Sequence, residues 1–142
     1  MSVLVIVLLL IYSVSLVFSL PDFTEGKWQI TTTIIVKDKN SGMIFKLPQV
    51  VHEECLTKDR NIPRNKKTAQ GECKILKNEV KGNTITWKMS CETSGATSII
   101  NGTIHYKRTT LSGKTRVTIN KDGRVMKMKQ KLKGKYIGQC DN

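Results

Sequence analysis

Residues 125–137 are written with a period of two: Lys127, Lys129, Lys131, Lys133 and Lys135 alternate with Met126, Met128, Gln130, Leu132 and Gly134. Successive side chains of a β-strand point to opposite faces. The spacing therefore predicts a strand with five ammonium groups on one face and apolar or small residues on the other. The preceding run, 114–120, agrees. Lys114, Arg116 and Thr118 share one face, and Thr115, Val117 and Ile119 the other. Upstream, β-rich runs at 27–36, 43–55, 73–80, 84–92 and 96–109 are separated by turn signals, with no helical period between them. These signals are Lys37 to Gly42, Lys81-Gly82-Asn83, Ser94-Gly95, Ser112-Gly113 and Asp122-Gly123. Pro48 marks an edge, bulge or bend in the second run, and 56–71 reads as one long basic loop. The expectation is all-β: one antiparallel meander of seven to eight strands. A sheet that long has to curl into a barrel-like or half-barrel form to shield its edges.

The first 20 residues carry no charged side chain and 16 of them are hydrophobic. All 24 Lys and Arg and all 11 Asp and Glu fall in the remaining 122 residues, for a net +13. Such a split excludes a multi-domain enzyme, a multi-pass membrane protein and a disordered acidic tail. It predicts a signal helix over 1–19, cut after Ser19, ahead of a single domain over 20–142. An uncleaved anchor is the alternative, since about 20 apolar residues just span a bilayer. The domain is expected to be exported, to the periplasm or outside the cell.

Four cysteines follow the leader: Cys55, Cys73, Cys91 and Cys140. An even number in a small exported domain reads as two disulfides, with three possible pairings. Folding a hairpin about Gly82 sets Cys73 opposite Cys91, where a cross-strand bridge fits, and leaves Cys55 to join Cys140. A zinc site would need clustered spacings such as C-x2-C, which are absent.

Three stretches resemble the bacterial DUF3617 family, a domain of unknown function. Pro21-Asp22-Phe23-Thr24-Glu25-Gly26-Lys27-Trp28-Gln29-Ile30-Thr31 resembles its P-x(5)-G-x-W-x-[IV]-T opening, with four residues in place of five between Pro21 and Gly26. Cys55-Leu56-Thr57 is similar to its C-L-T element, and Gly134-Lys135-Tyr136-Ile137-Gly138-Gln139-Cys140 to its ending. Gly82 to Trp87, followed by Cys91, fits the middle. The resemblance implies an exported bacterial β-rich domain and carries no activity with it. The lysine run on the last strand departs from the family's usual look. Gly26-Lys27-Trp28 is also similar to the G-x-W of lipocalins, in which the Trp closes the base of a ligand-holding barrel. That is an analogy of architecture, with Gly26 and Trp28 as candidate barrel base.

Candidate chemistry is sparse. In His52-Glu53-Glu54-Cys55, alternation turns His52 and Glu54 one way and Glu53 and Cys55 the other, so the four do not converge. His105 reads as a solvated neighbour of Thr or Lys. Met126 and Met128 have Cu(I)-like spacing but read as core filler, and Trp28 and Trp87 as buried anchors. No nucleophile elbow, metal-protease motif or phosphate loop is present, so the expectation is no enzyme, no cofactor and no metal. From Asn101 onward there are eleven basic residues against two acidic, placing +9 of the net +13 in the last 42. Lys127, Lys129, Lys131, Lys133, Lys135, Arg116 and Lys114 are thus candidates for binding an anionic membrane surface or another polyanion. Export and the lack of interleaved aromatics argue against nucleic acid. Two other readings stand beside this one: lysines that merely protect a sheet edge, and a lipocalin-like carrier of a small apolar ligand.

Overall fold

The computed structural model describes residues 20–63 and 71–141. The expected signal segment lies outside them, as do residues 64–70 of the basic loop. Eight strands follow in order: β1 (Gly26–Asp38), β2 (Ile44–Lys46), β3 (Val50–Leu56), β4 (Glu72–Lys81), β5 (Thr84–Thr93), β6 (Ala96–Lys107), β7 (Thr110–Lys121) and β8 (Arg124–Gly138). No helix occurs among the described residues. All neighbours are antiparallel and form one sheet in the order β2-β1-β8-β7-β6-β5-β4. β3 pairs with Gly26 to Thr32 of β1 and β2 with Ile35 to Lys37, so the two share its second edge. The sheet is open: β4 ends one margin and β2 with β3 the other.

Two details differ from the expectation. The run 43–55 is two short strands: the Leu47 N–H still donates to Ile34 O of β1, but Pro48 has no N–H to give the ladder and the chain leaves β1 at Pro48-Gln49. Ser112-Gly113 is not a turn. The chain reverses at Arg108-Thr109, where Arg108 adopts a positive φ of 43°, and β7 already runs from Thr110. Gly113 lies inside the ladder between Ile104 and Leu132. A Cβ there would come within 2.7 Å of Ile104 Cγ1, so this glycine makes room for a neighbour and does not bend the chain.

The inner face carries the core. Trp28, Ile30, Leu56, Ile85, Ile104 and Tyr106 are fully buried, with Trp87, Met89, Leu111 and Leu132 nearly so. Gly102 sits beneath the Trp87 ring, where an added Cβ would approach within 2.1 Å of it. β1 and β6 are three ladder steps apart, roughly 14 Å in a flat sheet. Yet the rings of Trp28 and Tyr106 meet edge to face with centroids 5.9 Å apart. The sheet therefore bends over its inner face.

The β4–β5 hairpin turns on two residues, Gly82 and Asn83, with Lys81 opposite Thr84. Continued unbroken, that register would set Cys73 against Glu92. A bulge at Leu76 slips it by one, and Cys73 faces Cys91 with Cα atoms 4.0 Å apart. Cys55 is bonded to Cys140, with Cα atoms 5.6 Å apart.

Candidate functional site

Alternation along β8 sends Lys127, Lys129, Lys131, Lys133 and Lys135 to the outer face, where all five are exposed. The ladder spans roughly 27 Å, with lysines ~7 Å apart along the strand. Neighbouring strands add to it. Arg116 stands opposite Lys129, Lys114 opposite Lys131, and Lys37 opposite Lys127. Lys46 of β2 faces Ile35, the other neighbour of Lys129. Like charges placed directly across a ladder destabilise it, and here there are three such pairs, two of them adjacent between β7 and β8.

Two tight turns close one end of this face. The Lys39 N–H donates to Val125 O at 3.2 Å, and the Val125 N–H to Asn40 Oδ1 at 3.4 Å. The β1–β2 turn is thus tied to the β7–β8 turn, which brings Lys39 to Lys127. The crowding is legible in the titration of Lys127. Its ammonium is pushed below the usual lysine range, chiefly by Lys39 and further by Lys37 and Lys129. Among the described residues the ion pairs are Lys27–Asp141, Lys77–Glu79, Lys81–Glu79 and His52–Glu54, and none includes a ladder lysine.

The edge-protection reading of these lysines fails on position. β8 is a central strand, hydrogen-bonded to β1 on one side and β7 on the other. Its backbone offers no free edge to guard.

The remaining candidates fall as follows. His52 and Glu54 do share the inner face, opposite Ile30 and Trp28, with His52 Nε2 3.5 Å from Glu54 Oε2. Glu53 and Cys55 face outward. Sequence reasoning missed that Tyr106 of β6 joins this inner pair, because only the bend of the sheet brings β3 and β6 together. The Tyr106 hydroxyl donates to Asn61 O. Burial, then the Glu54 carboxylate, pushes the phenol far above its ordinary range. Above about pH 10 the unfolded chain therefore sheds this proton first, and stability declines as pH rises. Tyr106→Phe is expected to cost about 1 kcal/mol at neutral pH for the lost hydrogen bond. It should flatten the alkaline decline, as urea unfolding at neutral and alkaline pH would show. His105 faces outward, its Nδ1 3.1 Å from Thr84 Oγ1. Met128 is half-buried and Met126 exposed, beside Val117 and Ile119 rather than any converging donor. No group of three His, Cys, Asp or Glu residues suited to a metal ion occurs among the described residues.

Gly26, Trp28, Cys55, Leu56, Tyr136, Gly138 and Cys140 meet at one corner. Leu56 pairs with Gly26, Cys55 and Gly138 flank Lys27, and Tyr136 pairs with Trp28. A Cβ on Gly26, whose φ is 146°, would run into Gly138 O and the Tyr136 ring. All three stretches that carry the resemblance supply parts of this corner, which is built from packing, close backbone approach and a disulfide.

Fold and site define a class: an all-β domain of one open antiparallel sheet, stapled by two disulfides, with a basic outer face and a packed inner one. A family model described as "Protein of unknown function (DUF3617)" matches residues 23–140, and the chain belongs to that family. No curated protein and no solved structure matches it.

Proposed function

We propose that this chain is an exported, non-enzymatic surface module, a half-barrel whose basic outer face docks on anionic lipid headgroups of a cell envelope. The observation that carries the reading is the lysine ladder on a central strand. It guards no edge, it opposes like charges at a cost, and among the described residues none of its lysines is ion-paired. Two disulfides fit an oxidising compartment, which supports export. Trp28, Ile30, Ile85, Ile104 and Tyr106 fill the inner face where a carrier would hold an apolar ligand, favouring surface binding over transport.

Each lysine near an anionic membrane contributes about 1 kcal/mol. Reversing Lys127, Lys129 and Lys131 to Glu should lower affinity for phosphatidylglycerol-containing vesicles by at least ~100-fold. Sedimentation against pure phosphatidylcholine vesicles isolates this term from whatever the apolar leader contributes. Binding should also fall steeply as added salt shortens the screening length. Equal binding to both vesicle types, or an unchanged affinity after charge reversal, removes the proposal.

A further inference from the structure

The segment from Met43 to Val51 exposes more large apolar surface than its place beside the ladder accounts for. Met43, Ile44, Phe45, Leu47, Val50 and Val51 are all exposed, Ile44 at 66%, Val51 at 55% and Phe45 at 47%. They belong to β2, β3 and the links beside them, along the open margin of the sheet. Ile44 and Val51 lie on the outer face, opposite Lys37 and Thr31, with Ile35 beside them. Phe45 turns to the inner face opposite Val36. Bases border this patch: Lys46 within β2, Lys37 and Lys39 at the end of β1, and Lys127 and Lys129 on β8.

Carboxylates near this end are few. Asp38 is occupied by its own turn, accepting from the Asn40 N–H and the Ser41 hydroxyl at 2.9 Å each, which holds it below the usual carboxylate range. Asp122 sits in the β7–β8 turn, and Glu53 faces Gln29 further along β3.

We infer that this margin is the membrane-inserting edge of the domain: Ile44, Phe45 and Val51 enter the headgroup–acyl boundary while Lys37, Lys39, Lys46, Lys127 and Lys129 contact lipid phosphates above them. The inference rests on the anionic-surface reading and adds to it an orientation and an apolar term. Charge selects the occupant. A second copy pairing along the same margin would set two groups of lysines against each other, and Pro48 interrupts the backbone edge such pairing needs. A bilayer interface supplies phosphate for the lysines and an apolar layer for the side chains between them.

The chain carrying Phe45→Trp is mixed with phosphatidylglycerol vesicles containing brominated phosphatidylcholine. Leu76→Trp, on the exposed far margin at β4, is the control. The two native tryptophans are buried and give a common background. The expected result is blue-shifted, bromine-quenched emission from Phe45→Trp and none beyond background from Leu76→Trp. Ile44→Ser with Val51→Ser should leave binding at low salt nearly intact. At high salt, where the lysines are screened, the same pair should lower it by about tenfold or more. Vesicle binding with an unquenched Phe45→Trp, or equal quenching at both margins, overturns the inserting edge and leaves the basic face standing. Absence of any preference for anionic vesicles overturns both.

Discussion

Replacing Cys55 and Cys140 together by Ala should lower the unfolding free energy by about 4–5 kcal/mol. The bridge closes a loop of sequence separation 85, and the chain-entropy relation assigns such a loop about 4.6 kcal/mol. Its position adds a structural consequence. Cys55 lies on β3 opposite Lys27, and Gly138, two residues before Cys140, flanks Lys27 from β8. The disulfide thus clasps the start of β1 from both sides, and among the described residues β3 has no other strand partner than β1. Urea unfolding without reductant gives the stability change, and amide exchange should show β3 losing protection before β6 or β7. A change below about 1 kcal/mol would mean that the unfolded chain is already compact enough to gain little from the link. The Cys73–Cys91 bridge, with a separation of only 18, should contribute less, about 3 kcal/mol.

Trp28→Ala is the second large effect, about 3–5 kcal/mol, the usual range for emptying a buried aromatic site. Trp28 is wholly buried, and its indole N–H donates to Thr24 O at 2.9 Å. Phe23, Tyr106 and Tyr136 surround it edge-on, with centroids 6.2, 5.9 and 6.2 Å away. The ring joins the entry segment to β1, β6 and β8, so its loss loosens several elements at once. Thermal unfolding should register a fall of about 10 °C or more for a domain of this size. Trp28→Phe should recover part of that fall, because it keeps apolar volume while losing the bond to Thr24.

Much of this architecture was legible in the linear text, for reasons that differ from place to place. The two faces of β8 follow from alternation alone, which a central strand obeys as well as an edge one. What alternation does not encode is the neighbour. That β8 lies between β1 and β7 is settled by β1 leaving its second edge to β2 and β3, a long-range choice. Centring the hairpin on Gly82 puts Cys73 opposite Cys91. In the structure a two-residue turn at Gly82-Asn83 and the bulge at Leu76 displace the register in compensating ways. The two offsets cancel, so the simpler centring arrives at the same partners. Ser112-Gly113 misled because a glycine that yields space to Ile104 looks, in one dimension, like a glycine that lets the chain turn. The nearness of Glu54 to Tyr106 had no local signal, since it depends on the bend of the whole sheet. The apolar margin at 43–51 was visible as a β-rich run. Its exposure followed only once β2 and β3 proved to be the open edge.

The pairing of β1 with β8 also governs the order in which the chain can be completed. The start of β1 can pair early with β3, but its other edge, from Lys27 to Asp38, has to wait for residues 126–138 of β8. Contacts of such long sequence separation make for slow closure. Cys55 and Cys73 emerge before either true partner, so an oxidant acting early would join the wrong pair and leave the correct frame to thiol exchange. Correct pairing of Cys55 therefore waits for Cys140, and a catalyst of disulfide exchange should speed it.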